Sequence, residues 1–143
     1  MTEVLFYILE HNHLPKAQEL QSCELIERFY QEKRRVYVQL ATYEEASKFN
    51  SQLWTFADIS FVPHELVDQF TGNAPVVIGY GQDLEAKLPR EVLINLTQAI
   101  PPCYQEFELL VEIVPNEAQA KAAARERFKI YRQQQLEIKT LRI

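Results

Sequence analysis

The sequence predicts an α/β fold, a single three-layer sandwich with a mostly parallel sheet between two layers of helices. Short apolar runs typical of strands buried on both faces alternate with segments whose apolar residues recur at helical spacing. The 143 residues are the length of one domain with a sizeable core. No linker, internal repeat or low-complexity segment interrupts them. We therefore expect residues 1–143 to form a single domain.

The first half of the chain is predicted to contain two strands and two helices. Residues 4–9 are too continuously apolar for a half-exposed strand and indicate a buried one. Helical spacing over residues 15–33 predicts a helix, and Val36–Leu40 predicts the second strand. Thr42 with Glu45 three residues later is a capping box, which predicts that the second helix begins there.

The second half is predicted to add strands at residues 74–78, 92–96 and 108–114, with one helical turn after Pro101-Pro102. Pro115 ends the last of these strands. A helix over residues 117–134 is expected to follow.

Two residues are predicted to cap this helix. Asn116 precedes it as the N-cap, and Gln119 stands at the third helical position. Residues 136–140 then predict a terminal edge strand.

Localisation and cysteine state are predicted from composition. No apolar stretch approaches the roughly 18 residues that cross a bilayer. Glu3 stands where a signal peptide needs positive charge, so a cytoplasmic protein without a membrane partner is expected. Because disulfides are rare in that compartment, Cys23 and Cys103 are expected to be unpaired, buried or half-buried thiols.

Sites for nucleotides, metals and catalysis are not predicted. The chain lacks G-x-x-x-x-G-K-[ST], its first strand runs into residues 10–15 without a glycine, and Gly79-Tyr80-Gly81 lacks a third glycine. His11 and His13 could share a metal, but no further ligand is spaced to complete the shell, and polar loop residues are the preferred interpretation. We expect no nucleotide-binding loop, no cofactor and no catalytic residue.

The charge of the chain is unevenly distributed. The net charge is −5, which disfavours strong direct binding to nucleic acid. Residues 1–110 carry 8 Lys and Arg against 16 Asp and Glu, whereas residues 111–143 carry 7 against 4. This asymmetry predicts a local basic surface on an acidic protein.

The last predicted helix carries that basic surface. Lys121, Arg125, Lys129 and Arg132 recur on one side, beside an exposed Phe128. The opposite side, expected to pack on the sheet, consists of Ala120, Ala123, Ala124, Ile130 and Tyr131. A solvated charged face is one interpretation. The other is a site for an acidic ligand that ends in an apolar group.

A second cluster is aromatic and includes Trp54, Phe56, Phe61, Pro63 and His64. Aromatic residues in a proline-containing loop form either a lid over the core or a protein-binding patch. Trp and Phe are favoured anchors at interfaces.

Several sequence strings resemble the chi subunits of bacterial DNA polymerase III. The most specific are S-F-V-P-H at residues 60–64 and A-R-E-R-F-K-I-Y-R at residues 124–132. Further matches lie at residues 4–9, 53–54, 74–76, 91–96 and 114–115. The resemblance implies a Rossmann-like domain without nucleotide chemistry, and a non-catalytic replication subunit.

The resemblance also implies two protein partners. One is the psi subunit, which tethers chi to the clamp loader; the other is the acidic, Phe-terminated C-terminal tail of single-stranded DNA-binding protein. Residues that match the tail site are Lys121, Arg125, Phe128 and Lys129, with Val114 and Thr140 near it. Trp54 and Phe61 match psi-facing positions.

Physical chemistry supports roles for the tail-site cations. A guanidinium group engages a carboxylate bidentately, so Arg125 is the preferred anchor for the terminal carboxylate, and Lys121 and Lys129 suit acidic side chains. Two alternatives stay open. A repair helicase could replace psi on the aromatic patch, or the fold could belong to a small nucleotide-using enzyme.

Overall fold

The computed structural model describes residues 2–10, 16–55, 62–69, 72–81, 88 and 90–143. The strands in this part of the chain are β1 Glu3–Ile8, β2 Val36–Leu40, β3 His64–Leu66, β4 Val76–Tyr80, β5 Val92–Asn95, β6 Leu109–Val114 and β7 Glu137–Arg142. The α-helices are α1 Ala17–Gln31, α2 Tyr43–Thr55 and α3 Ala118–Gln133. Short 3-10 turns occupy Val67–Gln69 and Tyr104–Glu106.

All seven strands join one sheet in the order β3-β4-β2-β5-β6-β1-β7, and every neighbouring pair is parallel. The predicted α/β sandwich with a mostly parallel sheet is therefore confirmed. β1 lies between β6 and β7, which explains why its sequence is almost continuously apolar. β3 and β7 form the two opposite edges.

Helices cover both faces of the sheet. α1 and α2 share one hydrophobic cluster, in which Phe29 and Phe49 pack against alternate residues of the strands. α3 covers the other face, where Tyr131 packs against Phe6 of β1. Within the described residues, no helix is both long and apolar enough to span a membrane.

Apart from shifts of one or two residues at the ends of other elements, two features differ from the sequence prediction. β3, a strand of 3 residues, was not predicted, because so short a segment shows no periodicity. The N-cap of α3 is Glu117, whose side chain makes no capping hydrogen bond. The predicted Asn116 cap is therefore wrong. The Asn116 amide instead donates to the Glu10 carbonyl at 3.4 Å, which ties the start of α3 to the end of β1.

The two cysteines are unpaired, and their environments differ. Cys23 on α1 is buried as expected, and burial raises the pKa of its thiol to about 12. Cys103 is exposed, so the prediction of a buried or half-buried thiol is wrong for this residue. Its backbone φ of 58° directs the chain into the turn at Tyr104.

Candidate functional site

The orientation of α3 is set by a buried stripe of four residues. Ala120, Ala124, Arg127 and Tyr131 recur at spacings of four, three and four and face the sheet. Arg127 was not among the residues predicted to face the sheet. Its helical phase relative to Ala124 and Tyr131 is the signal that could have identified it. Ile130, predicted to pack on the sheet, is 39% exposed.

Arg127 belongs to a buried polar network centred on Glu112 of β6. Its guanidinium donates from Nε to Glu112 Oε2 at 3.1 Å and pairs through Nη2 with Oε1, also at 3.1 Å. The Tyr131 hydroxyl donates to Oε2 at 2.6 Å, and the Asn95 amide donates to the same carboxylate at 3.0 Å. The remaining guanidinium nitrogen, Nη1, reaches the Gln98 carbonyl at 2.9 Å. The network therefore locks α3 to β5 and β6.

Burial dominates the electrostatics of this network. It raises the pKa of the Glu112 carboxyl, while the Arg127 guanidinium opposes that rise. Burial and the neighbouring Glu112 also raise the pKa of the Tyr131 hydroxyl, which therefore keeps its proton and donates it to the hydrogen bond. Because these groups are directed at one another beneath α3, their evident role is to position the helix.

The two flanks of α3 face different parts of the sheet. On one flank, Arg127 and Gln134 reach Gln98 and Gln105, which lie in the segment between β5 and β6. Since α3 also contacts β7, its other flank faces that edge of the sheet. We call this side the basic flank; it consists of Lys121, Arg125, Phe128 and Arg132.

The predicted tail-site residues on α3 lie on or beside the basic flank. Within the described part of the chain, neither Lys121 nor Arg125 makes a side-chain hydrogen bond or ion pair. Lys129 lies next to Arg125 around the helix and pairs with Glu126 at 3.2 Å, which partly offsets its charge. Lys121 and Arg125 therefore lie at the β7 edge as cations without a partner in the described part of the chain, and the ion-paired Lys129 lies farther from the sheet.

Phe128 forms the apolar floor of this region. The sequence indicated an exposed ring, but the ring is half-buried, with its centroid 5.6 Å from that of Phe6. Thr140 of β7 stands in register with Phe6, and Ile138 packs in the same hydrophobic cluster. Phe128 and Thr140 thus both adjoin Phe6 on the face of the sheet that α3 covers.

Two further residues adjoin the floor. Val114, in register with Ile8, is only 2% exposed, so it supports the predicted site from below rather than offering its own surface. Arg142 lies on the same face of β7 as Thr140 and was not predicted. The alternation of residues 138, 140 and 142 is the signal that could have identified it. Its guanidinium pairs with Glu10 at 2.6 Å.

The aromatic surface lies at the opposite edge of the sheet. Trp54 is near the end of α2 and is 54% exposed, which argues against a lid over the core for this side chain. Its ring centroid lies 4.1 Å from that of His64 on β3. His64 is buried, and its Nδ1 makes a 2.7 Å hydrogen bond with the Val62 carbonyl. Phe56 and Phe61, like His11 and His13, lie outside the described residues.

Comparison with known proteins supplies the family. The model of the family described as "DNA polymerase III chi subunit, HolC" matches residues 1–139. The chain belongs to the DNA polymerase III chi subunit family.

Individual relatives agree with this assignment. DNA polymerase III subunit chi of Pseudomonas aeruginosa is 33% identical, over 94% of this chain and 92% of the relative. The Escherichia coli K12 protein of the same name is 31% identical, with 92% of each chain covered. The Haemophilus influenzae protein is 30% identical, over 90% of this chain and 89% of the relative.

Membership of the chi family gives the chain a role in DNA replication, as an accessory subunit of the polymerase assembly. The predicted resemblance and Rossmann-like α/β architecture are confirmed. Among the residues that the structure describes, no group of three or more His, Cys, Asp and Glu could hold a metal ion.

Proposed function

We propose that this chi-family chain is a non-catalytic adaptor with two protein partners. Through the psi subunit it joins the clamp loader, and through α3 it binds the acidic C-terminal tail of single-stranded DNA-binding protein. The observation that carries the proposal is a pair of cations, Lys121 and Arg125, beside the half-buried ring of Phe128 at the β7 edge; neither cation has a side-chain partner among the described residues.

The chemistry of the basic flank suits an acidic peptide that ends in an aromatic residue. Arg125 can hold the terminal carboxylate with two parallel hydrogen bonds, while Lys121 and Lys129 attract acidic side chains as point charges. The terminal ring would rest on the apolar floor near Phe128 and Ile138. Because the cations are solvent-facing, binding is expected to weaken as salt is added.

The proposed psi surface is the aromatic edge around Trp54. A half-exposed indole packed at a tilt against a buried imidazole is an apolar anchor of the kind that contributes most at interfaces. Phe61 remains a predicted second anchor. Since β3 and β7 are opposite edges of the sheet, partners at the two surfaces would not compete for space.

Replacing Arg125 by alanine is expected to weaken binding of the tail peptide by about 1.5–3 kcal/mol, the range for hydrogen bonds to charged groups. Fluorescence anisotropy measures this, with a labelled peptide copied from the C-terminus of the same organism's single-stranded DNA-binding protein. Arg28→Ala is the matched control, because Arg28 is an exposed arginine on α1, at the opposite face. Equal loss in the two variants would indicate unspecific charge attraction and contradict the site.

The terminus of the peptide should matter more than any single upstream charge. Amidating the C-terminus removes the carboxylate that Arg125 holds, and deleting the last Phe removes the ring. Each change is expected to weaken binding by more than neutralising one upstream Asp, because an exposed ion pair contributes only about 0–1 kcal/mol. The same anisotropy titration compares the three peptides. Equal losses from all three would contradict terminal recognition.

A further inference from the structure

The outer edge of β7 is an open row of backbone hydrogen-bonding groups. Among the residues that the structure describes, β7 is the last strand of the sheet and pairs with β1 alone. The Ile143 amide donates inward to the Ile8 carbonyl at 2.8 Å. Because backbone groups alternate in direction along a strand, the N–H and C=O groups of residues 138, 140 and 142 point outward, away from β1. Such an edge is a template for another extended chain.

The open edge lies directly beside the basic flank of α3. Ile138, Thr140 and Arg142 direct their side chains to the α3 face. They stand in register with Val4, Phe6 and Ile8, which all pack in or against the α3-side cluster. The basic flank overhangs this face from above. An extended chain paired with β7 would therefore direct every second side chain toward Lys121, Arg125 and Arg132.

The opposite face of β7 offers a different environment. Lys139 and Leu141 stand in register with Leu5 and Tyr7 and point away from α3. Leu141 is 47% exposed. A paired chain would thus meet cations on one face and an exposed apolar side chain next to Lys139 on the other.

We infer that the open edge of β7 binds an extended acidic peptide as an eighth strand, with backbone hydrogen bonds to residues 138, 140 and 142. Charge complementarity identifies the occupant: residues 111–143 carry 7 Lys and Arg against 4 Asp and Glu in a chain of net charge −5. Backbone pairing supplies affinity, and alternate side-chain contacts supply specificity. The inference rests on the proposed function and names the geometry by which the tail is held.

Removing one outward donor tests the inference. Thr140→Pro deletes the N–H of Thr140, which the alternation places outside the β1–β7 ladder, and proline is tolerated at such edge positions. Thr140→Ala removes the same hydroxyl but keeps the N–H. The tail peptide is expected to bind Thr140→Pro at least about 5-fold more weakly than Thr140→Ala, in keeping with one lost hydrogen bond. A thermal melt of both variants checks that the sheet is intact.

A scan of N-methylated tail peptides gives a second readout that needs no variant. If the peptide forms a strand, N-methyl groups at alternate positions should lower affinity by about 10-fold, since each blocks a hydrogen bond and crowds the edge. N-methyl groups at the positions between these should have little effect on affinity. Strand addition would be overturned if the affinity were the same for every N-methylated peptide and if Thr140→Pro and Thr140→Ala bound the tail peptide equally well. A loss of affinity in Arg125→Ala would then still support tail binding itself. No binding of the unmodified peptide would overturn both.

A second copy of the chain is the competing occupant of this edge. Sedimentation of the free protein should give a monomer at the peptide-binding concentration. A dimer that persists when the peptide is added would show that the edge is already paired, and would overturn the inference.

Discussion

Replacing Glu112 by leucine is expected to lower the free energy of unfolding by about 3–5 kcal/mol, the cost of leaving one member of a buried ion pair without its partner. Arg127 is 5% exposed, and within the described residues two of the three polar contacts of its guanidinium, one hydrogen bond and one ion-pair contact, go to Glu112. The variant also leaves the Tyr131 hydroxyl without its acceptor. Urea denaturation followed by circular dichroism measures the loss, which should appear as a lower midpoint at unchanged slope.

The double variant Glu112→Leu/Arg127→Met is the matched control. Removing both charges eliminates the unpaired guanidinium, so the double variant should recover at least half of the lost stability. Recovery should be incomplete, because Tyr131 and Asn95 also donate to Glu112. A Glu112→Leu protein within about 1 kcal/mol of wild type would contradict the account of the network as the lock on α3.

The two proposed partner surfaces should be separable by mutation. Trp54→Ala removes a half-exposed anchor and is expected to weaken psi binding by about 2 kcal/mol or more, the cost of truncating an interface hot spot. It should leave tail-peptide affinity and its salt dependence unchanged. Arg125→Ala should do the reverse. Isothermal titration of both variants with psi and with the tail peptide measures all four combinations.

Separability follows from the positions of the surfaces. Trp54 contacts His64 on the β3 edge, whereas Arg125 lies above the β7 edge, with the rest of the sheet between them. If each variant weakens both interactions to a similar degree, a shared surface or general destabilisation is the better explanation.

Much of the fold could be predicted because parallel strands buried on both faces have a plain sequence signature. The apolar runs at residues 4–9, Val36–Leu40 and 108–114 correspond to β1, β2 and β6 with shifts of one residue or none. The order of strands in the sheet could not be predicted, because it depends on contacts between distant segments. β3 was not predicted, because its three residues, His64–Leu66, are too few to show the alternation of a strand.

The candidate site could be predicted only where one helix contains it. Helical phase places Lys121 and Arg125 together, whichever strand lies beneath them. The ring contact of Phe128 could not be predicted, because Phe6 lies on a strand at the other end of the chain. The burial of Arg127 could not be predicted either, because the carboxylate that makes it tolerable, Glu112, lies on another element.

The adaptor proposal requires that both partners bind at once, and sedimentation velocity of the three-component mixture tests this most directly. The chi-family chain, psi and intact single-stranded DNA-binding protein are mixed, with the Arg125→Ala chain as control. With the wild-type chain, the account predicts one fast-sedimenting species that contains all three proteins. With the Arg125→Ala chain, it predicts the chi–psi complex and, separately, free single-stranded DNA-binding protein. Mutual exclusion, in which adding psi releases single-stranded DNA-binding protein from the wild-type chain, would contradict it.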